Sequence, residues 1–328
     1  MSLPKVLLIS LGGTITMTRG KGPGIVPTLT AADLVQTLPQ IENLAHIETL
    51  SPFSSPGASL SIDNLIEVAA LIEKHFASGT DGVVVIQGTD TIEETAFALD
   101  LLVKSDRPVI VTGAMRGPEA PGADGPANVL AATIVAGSRP AVGLGALVVL
   151  NDEVHAARFV QKSHTAIPSA FTSPLAGAVG LVAEGKVHFH VRPMTRPEPI
   201  GLCEGPDMPV AIVKMSLGES GRLLAEIPRL GYRGVVVEGM GAGHVPASVS
   251  PIVGDIAKEM PVVLATRVAT GPAFTSTYAF PGSEIDLLGR GAISAGFLSS
   301  LKARLLLTLL LRKYGDPALI GDMFRNYS

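Results

Sequence analysis

Continuous apolar runs recur along the chain, and each ends at a glycine or a polar turn. The first covers residues 6–11 and stops at a Gly–Gly pair, which is typical of a strand buried on both faces of a parallel sheet. Similar runs follow at 82–86, 108–111 and 145–150, with helix-like stretches at 62–75 and 91–103. This alternation predicts a doubly wound α/β sheet, in which ligands bind beyond the carboxyl ends of the strands.

A proline-rich segment interrupts the pattern at residues 191–209. It has little periodicity and mixed charge, which is typical of an extended connection between domains. Beyond it, apolar runs resume at 210–213, 234–237 and 261–264, and a buried helix is predicted over 300–313. We therefore expect two α/β domains, a larger N-terminal doubly wound one over 1–190 and a smaller C-terminal one over 210–328, joined by the linker 191–209.

Composition excludes several classes of protein. The 328 residues are 47% hydrophobic and 16% charged, so the chain has enough apolar surface for folded cores and is not disordered. A net charge of −4, without basic blocks, argues against a nucleic-acid partner. The single cysteine, Cys203, excludes an intrachain disulfide. No signal-peptide pattern opens the sequence and no apolar run approaches about 20 residues, so we expect a cytoplasmic protein without membrane contact.

Threonines follow two of the predicted strands in glycine-flanked turns. Residues 12–14 are GGT and residues 87–91 are QGTDT. Glycine lets the backbone turn sharply with its N–H groups exposed. Helix capping explains the second turn equally well, because Thr91 and Glu94 fit a capping box. Two such turns, at the sheet edge where this architecture binds ligands, favour a catalytic site.

Together with further motifs, these turns resemble the bacterial-type L-asparaginase/glutaminase family. The motifs are LGGTI at 11–15, QGTDT at 87–91, TGAMR at 112–116, ADGPAN at 123–128, VQKSHT at 160–165 and KAR at 302–304, so the likeness covers essentially the whole chain. The resemblance implies a larger and a smaller α/β domain, and hydrolysis of a side-chain amide of an amino acid to acid and ammonia without a cofactor. It also implies a homo-oligomer, either a dimer or a tetramer, with sites at subunit interfaces.

By this resemblance, Thr14 is the nucleophile, and Thr89, Asp90 and Lys162 form a second group of hydroxyl, carboxylate and amine. A threonine hydroxyl needs a base to attack, and a desolvated lysine held by a carboxylate can serve as one. Lys162 is thus the predicted base, and Thr89 either relays a proton or positions water. Asp90 also matches the residue that holds the substrate's α-amino group. Backbone N–H groups in the two turns are the expected oxyanion hole.

The resemblance further implies a set of substrate-binding residues: Ala58, Ser59, Gly88, Thr89, Asp90, Ala114 and Glu284, the last lent by a neighbouring subunit. The chain departs from the family in three ways. The lid after Thr14 contains no tyrosine, and we hypothesise that Tyr278 replaces it as a catalytic residue. Gln87 replaces a histidine and is expected to be structural. Ala58 and Ser59 stand where the family has Ser-Gln or Asp-Ser, so the preference between asparagine and glutamine stays open. Asp124 is expected to support the loops of the site.

The leading function is that of an L-asparaginase, hydrolysing the side-chain amide of L-asparagine through a threonine nucleophile. Alternatives are a glutaminase-asparaginase, a divergent small-amide hydrolase, an amino-acid-binding sensor on the same fold, and an amidotransferase subunit acting on a transfer-RNA-bound substrate. The last carries an extra N-terminal domain, whereas the first catalytic turn here begins at residue 12. A dehydrogenase is disfavoured because GGT is not a GxGxxG phosphate turn, and the seven histidines show no metal-ligand spacing.

Overall fold

The computed structural model describes residues 2–13, 15, 17–19, 25–27, 30–194 and 196–327. The chain divides into two compact units, Met1–Gly201 and Leu202–Ser328. Each unit has its own sheet with helices packed against it, as the alternating pattern predicts. The predicted fold class, two α/β domains of which the N-terminal one is larger, is confirmed.

The first unit is built on an eight-stranded mixed sheet. The strands of the unit, eight of which form this sheet, are β1 (Lys5–Ser10), β2 (Met17–Arg19), β3 (Ile25–Pro27), β4 (His46–Leu50), β5 (Gly82–Ile86), β6 (Val109–Thr112), β7 (Ala146–Leu150), β8 (Glu153–Ala156), β9 (Gln161–Lys162), β10 (Phe171–Thr172), β11 (Gly180–Ala183) and β12 (Lys186–Phe189). Its helices are α1 (Ala31–Gln36), α2 (Ile62–Ala77), α3 (Ile92–Leu102) and α4 (Gly125–Ala136). The order in the large sheet is β12-β11-β8-β7-β6-β5-β1-β4, while β2 pairs with β3 and β9 with β10.

The strand order reverses direction between β1 and β5. From β1 the chain moves outward to β4 on one side, then returns to β5 on the other and continues to β6 and β7. These five strands are parallel, and Ser10 pairs with Ile86, so β1 and β5 end at the same level. The crevice where the order reverses is where open α/β sheets bind ligands. The turns that begin at Gly12 and at Gln87 both leave the sheet there.

Burial explains why the strand predictions succeed in this unit. Every residue of β5, β6 and β7 is buried, because helices cover both faces of a parallel sheet. Helix α2 begins after Ser61, whose side chain accepts the Asn64 N–H while Asn64 bonds back to the Ser61 N–H, so a capping box fixes its start. The antiparallel edge formed by β8, β11 and β12 is an addition that the sequence pattern did not predict.

The second unit has a four-stranded parallel sheet in sequence order. Its strands are β13 (Val210–Lys214), β14 (Gly234–Gly239), β15 (Val262–Thr266) and β16 (Ile293–Ser294), and its helices are α5 (Arg222–Glu226), α6 (Ser250–Ala257), α7 (Glu284–Gly289), α8 (Ser300–Tyr314) and α9 (Pro317–Arg325). Helix α8 packs against β13 and β14, and its residues 305–311 are all buried. The predicted buried helix at 300–313 is therefore confirmed. Within the described ranges, no helix is both long and apolar enough to cross a membrane.

Candidate active site

The two glycine-flanked turns meet at the carboxyl ends of β1 and β5. The second forms a short 3₁₀ turn, Thr89–Thr91, that leads directly into α3. Gly13 has φ +92°, and a Cβ built on it would lie 2.0 Å from the Gly88 backbone nitrogen. Only glycine fits this conformation and this approach. Thr14, the predicted nucleophile, lies outside the described residues, but the residue before it contacts the turn that carries Thr89.

Three of the predicted catalytic side chains form one hydrogen-bonded group. Lys162 Nζ donates to Thr89 Oγ1 over 2.9 Å and lies 3.1 Å from Asp90 Oδ1. Thr89 is buried, and the side chain of Lys162 is 18% exposed, whereas that of Asp90 is 64% exposed. The hydroxyl and amine are thus largely withdrawn from water, while the carboxylate has free surface for a polar ligand. This arrangement suits proton transfer between the amine and the hydroxyl.

Glu93 fixes the strand that carries Lys162, and the sequence analysis missed it. Its carboxylate Oε1 accepts the backbone N–H of Lys162 over 3.2 Å. Glu93 lies in the first turn of α3 and is buried, although an acidic residue there is usually a solvated partner of the helix dipole. The sequence signal that could have identified Glu93 was its position, four residues after Thr89 in the helix that directly follows the turn already assigned to the site.

The predicted substrate-binding pair, Ala58 and Ser59, lies in a second 3₁₀ turn beside the catalytic turn. This turn covers Gly57–Ser59, and the side chains of Ala58 and Ser59 are exposed. A Cβ on Gly57 would lie 2.7 Å from the Gly88 carbonyl oxygen, so the two backbones are already in contact. Ser59 therefore lies next to the catalytic turn, where its hydroxyl is free to donate to an anionic ligand.

Gln87 and Thr91 join these two turns. Gln87 is fully buried, and its Nε2 donates to the Gly88 carbonyl over 3.2 Å and to Thr91 Oγ1 over 3.1 Å, which confirms the expected structural role. Thr91 Oγ1 donates in turn to the Gly57 carbonyl over 3.0 Å. The capping-box interpretation of Thr91 is wrong, since no side chain caps the N-terminus of α3. Its hydroxyl serves a contact between two loops instead.

Asp124 organises the loop that follows β6 and contains Ala114. Its carboxylate accepts the backbone N–H groups of Met115 and Arg116 over 2.9 and 2.8 Å, and the Asn128 side chain over 3.1 Å. The Asn128 amide also donates to the carbonyl of Gly113 over 2.9 Å. The expected supporting role of Asp124 is confirmed, and Ala114 is buried at the base of this loop.

Tyr278 and Glu284 belong to the second unit, where they form a local cluster. Glu284 is fully buried, and its Oε1 accepts the N–H groups of Thr277 and Tyr278 over 2.8 and 2.6 Å. Its Oε2 lies 3.1 Å from His244 Nε2. Burial alone would raise the pKa of the Glu284 carboxyl, but these N–H donors stabilise its charged form and the net effect is a lowered pKa. The carboxylate is therefore occupied within its own unit.

Tyr278 is an exposed aromatic residue that this carboxylate holds by its backbone. Its side chain is 42% exposed, its ring meets His244 edge-on with centroids 5.0 Å apart, and it stacks on Phe274 at 6.5 Å. Such contacts fix the ring while the side chain stays partly exposed. The structure thus brings together Ser59, Gly88, Thr89, Asp90 and Lys162 in one unit, and Tyr278 and Glu284 in the other. In the part of the chain that the structure describes, no cluster of three or more potential side-chain ligands could hold a metal ion.

The similarities to known proteins extend over the whole chain. A family model described as Asparaginase, N-terminal matches residues 5–195, and one described as Glutaminase/Asparaginase C-terminal domain matches residues 209–324. The probable L-asparaginase of Deinococcus radiodurans is 37% identical over 317 residues, 94% of either chain. The probable periplasmic L-asparaginase of Haemophilus influenzae is 32% identical over 336 residues, 99% of this chain and 93% of that one. The crystal structure of the probable cytoplasmic L-asparaginase from Campylobacter jejuni aligns with TM-score 0.87 at 32% identity, covering 98% of this chain and 99% of that one.

Proposed function

Because the chain belongs to the asparaginase family, we propose that it hydrolyses the side-chain amide of L-asparagine to L-aspartate and ammonia. One observation carries the proposal: Lys162 Nζ bonds Thr89 Oγ1 at 2.9 Å and Asp90 Oδ1 at 3.1 Å beside the turn that leads to Thr14. This group supplies a base, a hydroxyl relay and a carboxylate at the ligand-binding edge of the sheet, which is what amide hydrolysis through an ester intermediate requires.

We propose that the reaction proceeds in two steps. Thr14 Oγ1 attacks the side-chain amide carbon while Thr89 and Lys162 take its proton and pass it to the amide nitrogen, which leaves as ammonia as a Thr14 ester forms. Water then adds to the ester carbon as Thr89 and Lys162 take its proton. The proton returns to Thr14 when the ester bond breaks and L-aspartate is released. Backbone N–H groups of the two turns stabilise the negative oxygen of each tetrahedral intermediate, an effect worth about 3 kcal/mol per donor.

The exposed groups around the catalytic turn account for substrate binding. The Asp90 carboxylate is 64% exposed and carries the charge that an α-ammonium group needs. The exposed Ser59 hydroxyl is the proposed donor to the α-carboxylate. Gly88 and Ala114 are buried, and in this proposal their lack of a large side chain leaves space for the substrate amide. In this proposal the two charged ends of the amino acid are held by Asp90 and Ser59, so that its amide extends toward Thr14.

Tyr278 and Glu284 act in this proposal from a neighbouring subunit of a homo-oligomer. The geometry of their own unit supports different roles for the two residues. Tyr278 is partly exposed and is the proposed partner of another subunit's Thr14, whereas Glu284 is fully buried and holds the Tyr278 backbone in place. Tyr278→Phe is expected to lower turnover in an assembled protein, and sedimentation analysis decides between monomer, dimer and tetramer. A monomer with full turnover contradicts the shared site.

We also propose that the protein acts in the cytoplasm. A single cysteine suits a reducing compartment, and the similar Campylobacter jejuni protein is named as cytoplasmic, whereas the Haemophilus influenzae one is named as periplasmic. Cell fractionation with cytoplasmic and periplasmic marker enzymes tests this placement. Recovery with the periplasmic marker would refute it.

The experiment that tests the proposed activity measures ammonia and aspartate release from L-Asn, D-Asn and L-Gln. We expect L-Asn to give equal amounts of ammonia and aspartate, and D-Asn to react more slowly because Asp90 and Ser59 fix the two ends of the L isomer. Thr14→Ala should abolish turnover without loss of fold. If L-Gln is turned over faster than L-Asn, the protein is a glutaminase-asparaginase. If the folded protein hydrolyses none of the three, the proposal is wrong.

A further inference from the structure

The hydroxyl of Thr91 is used in an unusual way. Thr91 is the N-cap residue of α3, a position where a threonine side chain normally accepts an N–H of the first helical turn and stabilises the helix. Here it makes no such bond and instead donates to the carbonyl of Gly57 over 3.0 Å. Gly57 is 34 residues away in sequence. The Thr91 hydroxyl thus does not cap α3 and instead joins two loops.

Gln87 fixes the direction of this hydrogen bond. Its Nε2 donates to Thr91 Oγ1 over 3.1 Å, so the oxygen of Thr91 is an acceptor on one side and its proton points to Gly57. Gln87 is fully buried and directly follows β5. These two hydrogen bonds, from Gln87 to Thr91 and from Thr91 to Gly57, connect the end of β5 to the turn that carries Ser59.

The turn that carries Ser59 and the turn that carries Thr89 lie close together at Gly57 and Gly88, with no room for a side chain between them. A Cβ on Gly57 would lie 2.7 Å from the Gly88 carbonyl oxygen, and one on Gly88 would lie 2.8 Å from the Gly57 nitrogen. A side chain on either glycine would therefore push the two turns apart, and the Thr91 hydroxyl supplies a side-chain hydrogen bond that holds them together. The Gly57 carbonyl also accepts the Leu60 N–H, which closes the turn around Ser59.

We propose that Thr91 is a positioning residue that sets the distance between the turn of Ser59 and the catalytic turn, and thereby the length of amino acid that the site accepts. The inference rests on the proposed function and deepens it. Asparagine and glutamine differ by one methylene between the charged end and the amide. A site whose two turns are held at contact distance favours the shorter substrate, and one whose turns separate loses that preference.

The test compares Thr91→Val, Thr91→Ser and Thr91→Asp with the wild type in ammonia release from L-Asn and L-Gln. Valine keeps the shape but removes the donor, so we expect KM for L-Asn to rise about tenfold, or about 1.4 kcal/mol of binding, with kcat within about threefold. The ratio of kcat/KM for L-Asn over L-Gln should fall. Serine retains the hydroxyl and should restore both values to within about twofold of wild type.

Thr91→Asp separates positioning from helix capping. Aspartate is a strong N-cap but cannot donate to the Gly57 carbonyl, so it should restore the thermal stability of the protein while KM stays raised. If aspartate restores KM, or if valine leaves KM within twofold of wild type, Thr91 has no positioning role. Should Thr91→Val fail to fold, Thr91→Ala against Thr91→Ser makes the same comparison.

A second measurement separates failure of this inference from failure of the proposed function. Hydrogen–deuterium exchange of the peptide around Gly57 and Leu60 needs no substrate. Faster exchange there in Thr91→Val, but not in Thr91→Ser, supports the claim that the Thr91 hydroxyl holds the two turns together, even if no amide is hydrolysed. Unchanged exchange in Thr91→Val, in a protein that hydrolyses L-Asn, overturns the inference and leaves the proposed activity intact.

Discussion

Replacing Gly57 with alanine tests how closely the two turns of the site must be placed. Its φ is not in the left-handed region, so alanine brings no backbone strain of its own. The new Cβ would lie 2.7 Å from the Gly88 carbonyl oxygen and 3.1 Å from the Gly88 carbonyl carbon, whereas ordinary van der Waals contact begins at 3.4 Å. The atoms it meets are backbone and cannot swing aside, so the turns must separate by about 0.7 Å, which costs about 1–3 kcal/mol of stability.

The catalytic effect of that separation should exceed its effect on stability. A displacement approaching 1 Å between substrate and catalytic groups costs up to about 10²-fold in rate. We expect kcat/KM for L-Asn to fall by roughly that factor, about 2.7 kcal/mol of transition-state stabilisation, in a protein that still unfolds cooperatively.

The assay is steady-state ammonia release, with thermal unfolding measured on the same samples. Gly321→Ala is the matched control, because Gly321 lies in α9, where a Cβ would lie 3.9 Å from Ile293 and alanine favours the helix. It should leave activity unchanged. A folded Gly57→Ala protein with kcat/KM within about threefold of wild type would refute the argument that the turns are held at a critical distance.

Three further changes test other parts of the structure. Gly145→Ala places a Cβ 2.1 Å from Asp100 Oδ1 at φ +76°, so the unfolding midpoint in urea should fall clearly; an unchanged midpoint refutes the predicted clash. Gly13→Ala, 2.0 Å from the Gly88 nitrogen at φ +92°, should abolish turnover or folding; normal activity contradicts this. The lowered pKa of Glu284 stabilises the native state above about pH 4.5 and is lost as the pH falls through the native pKa, so Glu284→Gln should flatten stability against acid pH; parallel profiles contradict this.

The sequence was most informative where structure depends on neighbours along the chain. The buried strands β5, β6 and β7 appear as uninterrupted apolar runs because both faces of a parallel sheet are covered. Glycine-flanked turns at their ends then identify the edge of the sheet that binds ligands. For this reason the fold class and the location of the Thr89–Thr91 turn can be derived from the sequence alone.

The remaining features depend on contacts between distant parts of the chain. Strand β9, which carries Lys162, has two residues and no periodicity, and its position is set by pairing with β10 and by the carboxylate of Glu93. Thr91 has the local signature of a cap, but its hydroxyl bonds to Gly57. No pattern within one segment distinguishes these outcomes, because the competing partners are supplied by tertiary packing.

The most direct test of the account is the rate of ammonia release from saturating L-Asn by Lys162→Met. Methionine keeps the unbranched stem as far as the ε position but removes the amine that bonds Thr89 and Asp90. Lys258→Met is the control, because Lys258 is 76% exposed and pairs with the exposed Asp255 three residues earlier. We expect Lys162→Met to lose at least about 10²-fold in kcat, and the control to stay within about twofold of wild type. A folded Lys162→Met protein that retains more than about a tenth of wild-type turnover would contradict the assignment of Lys162 as the base of this site.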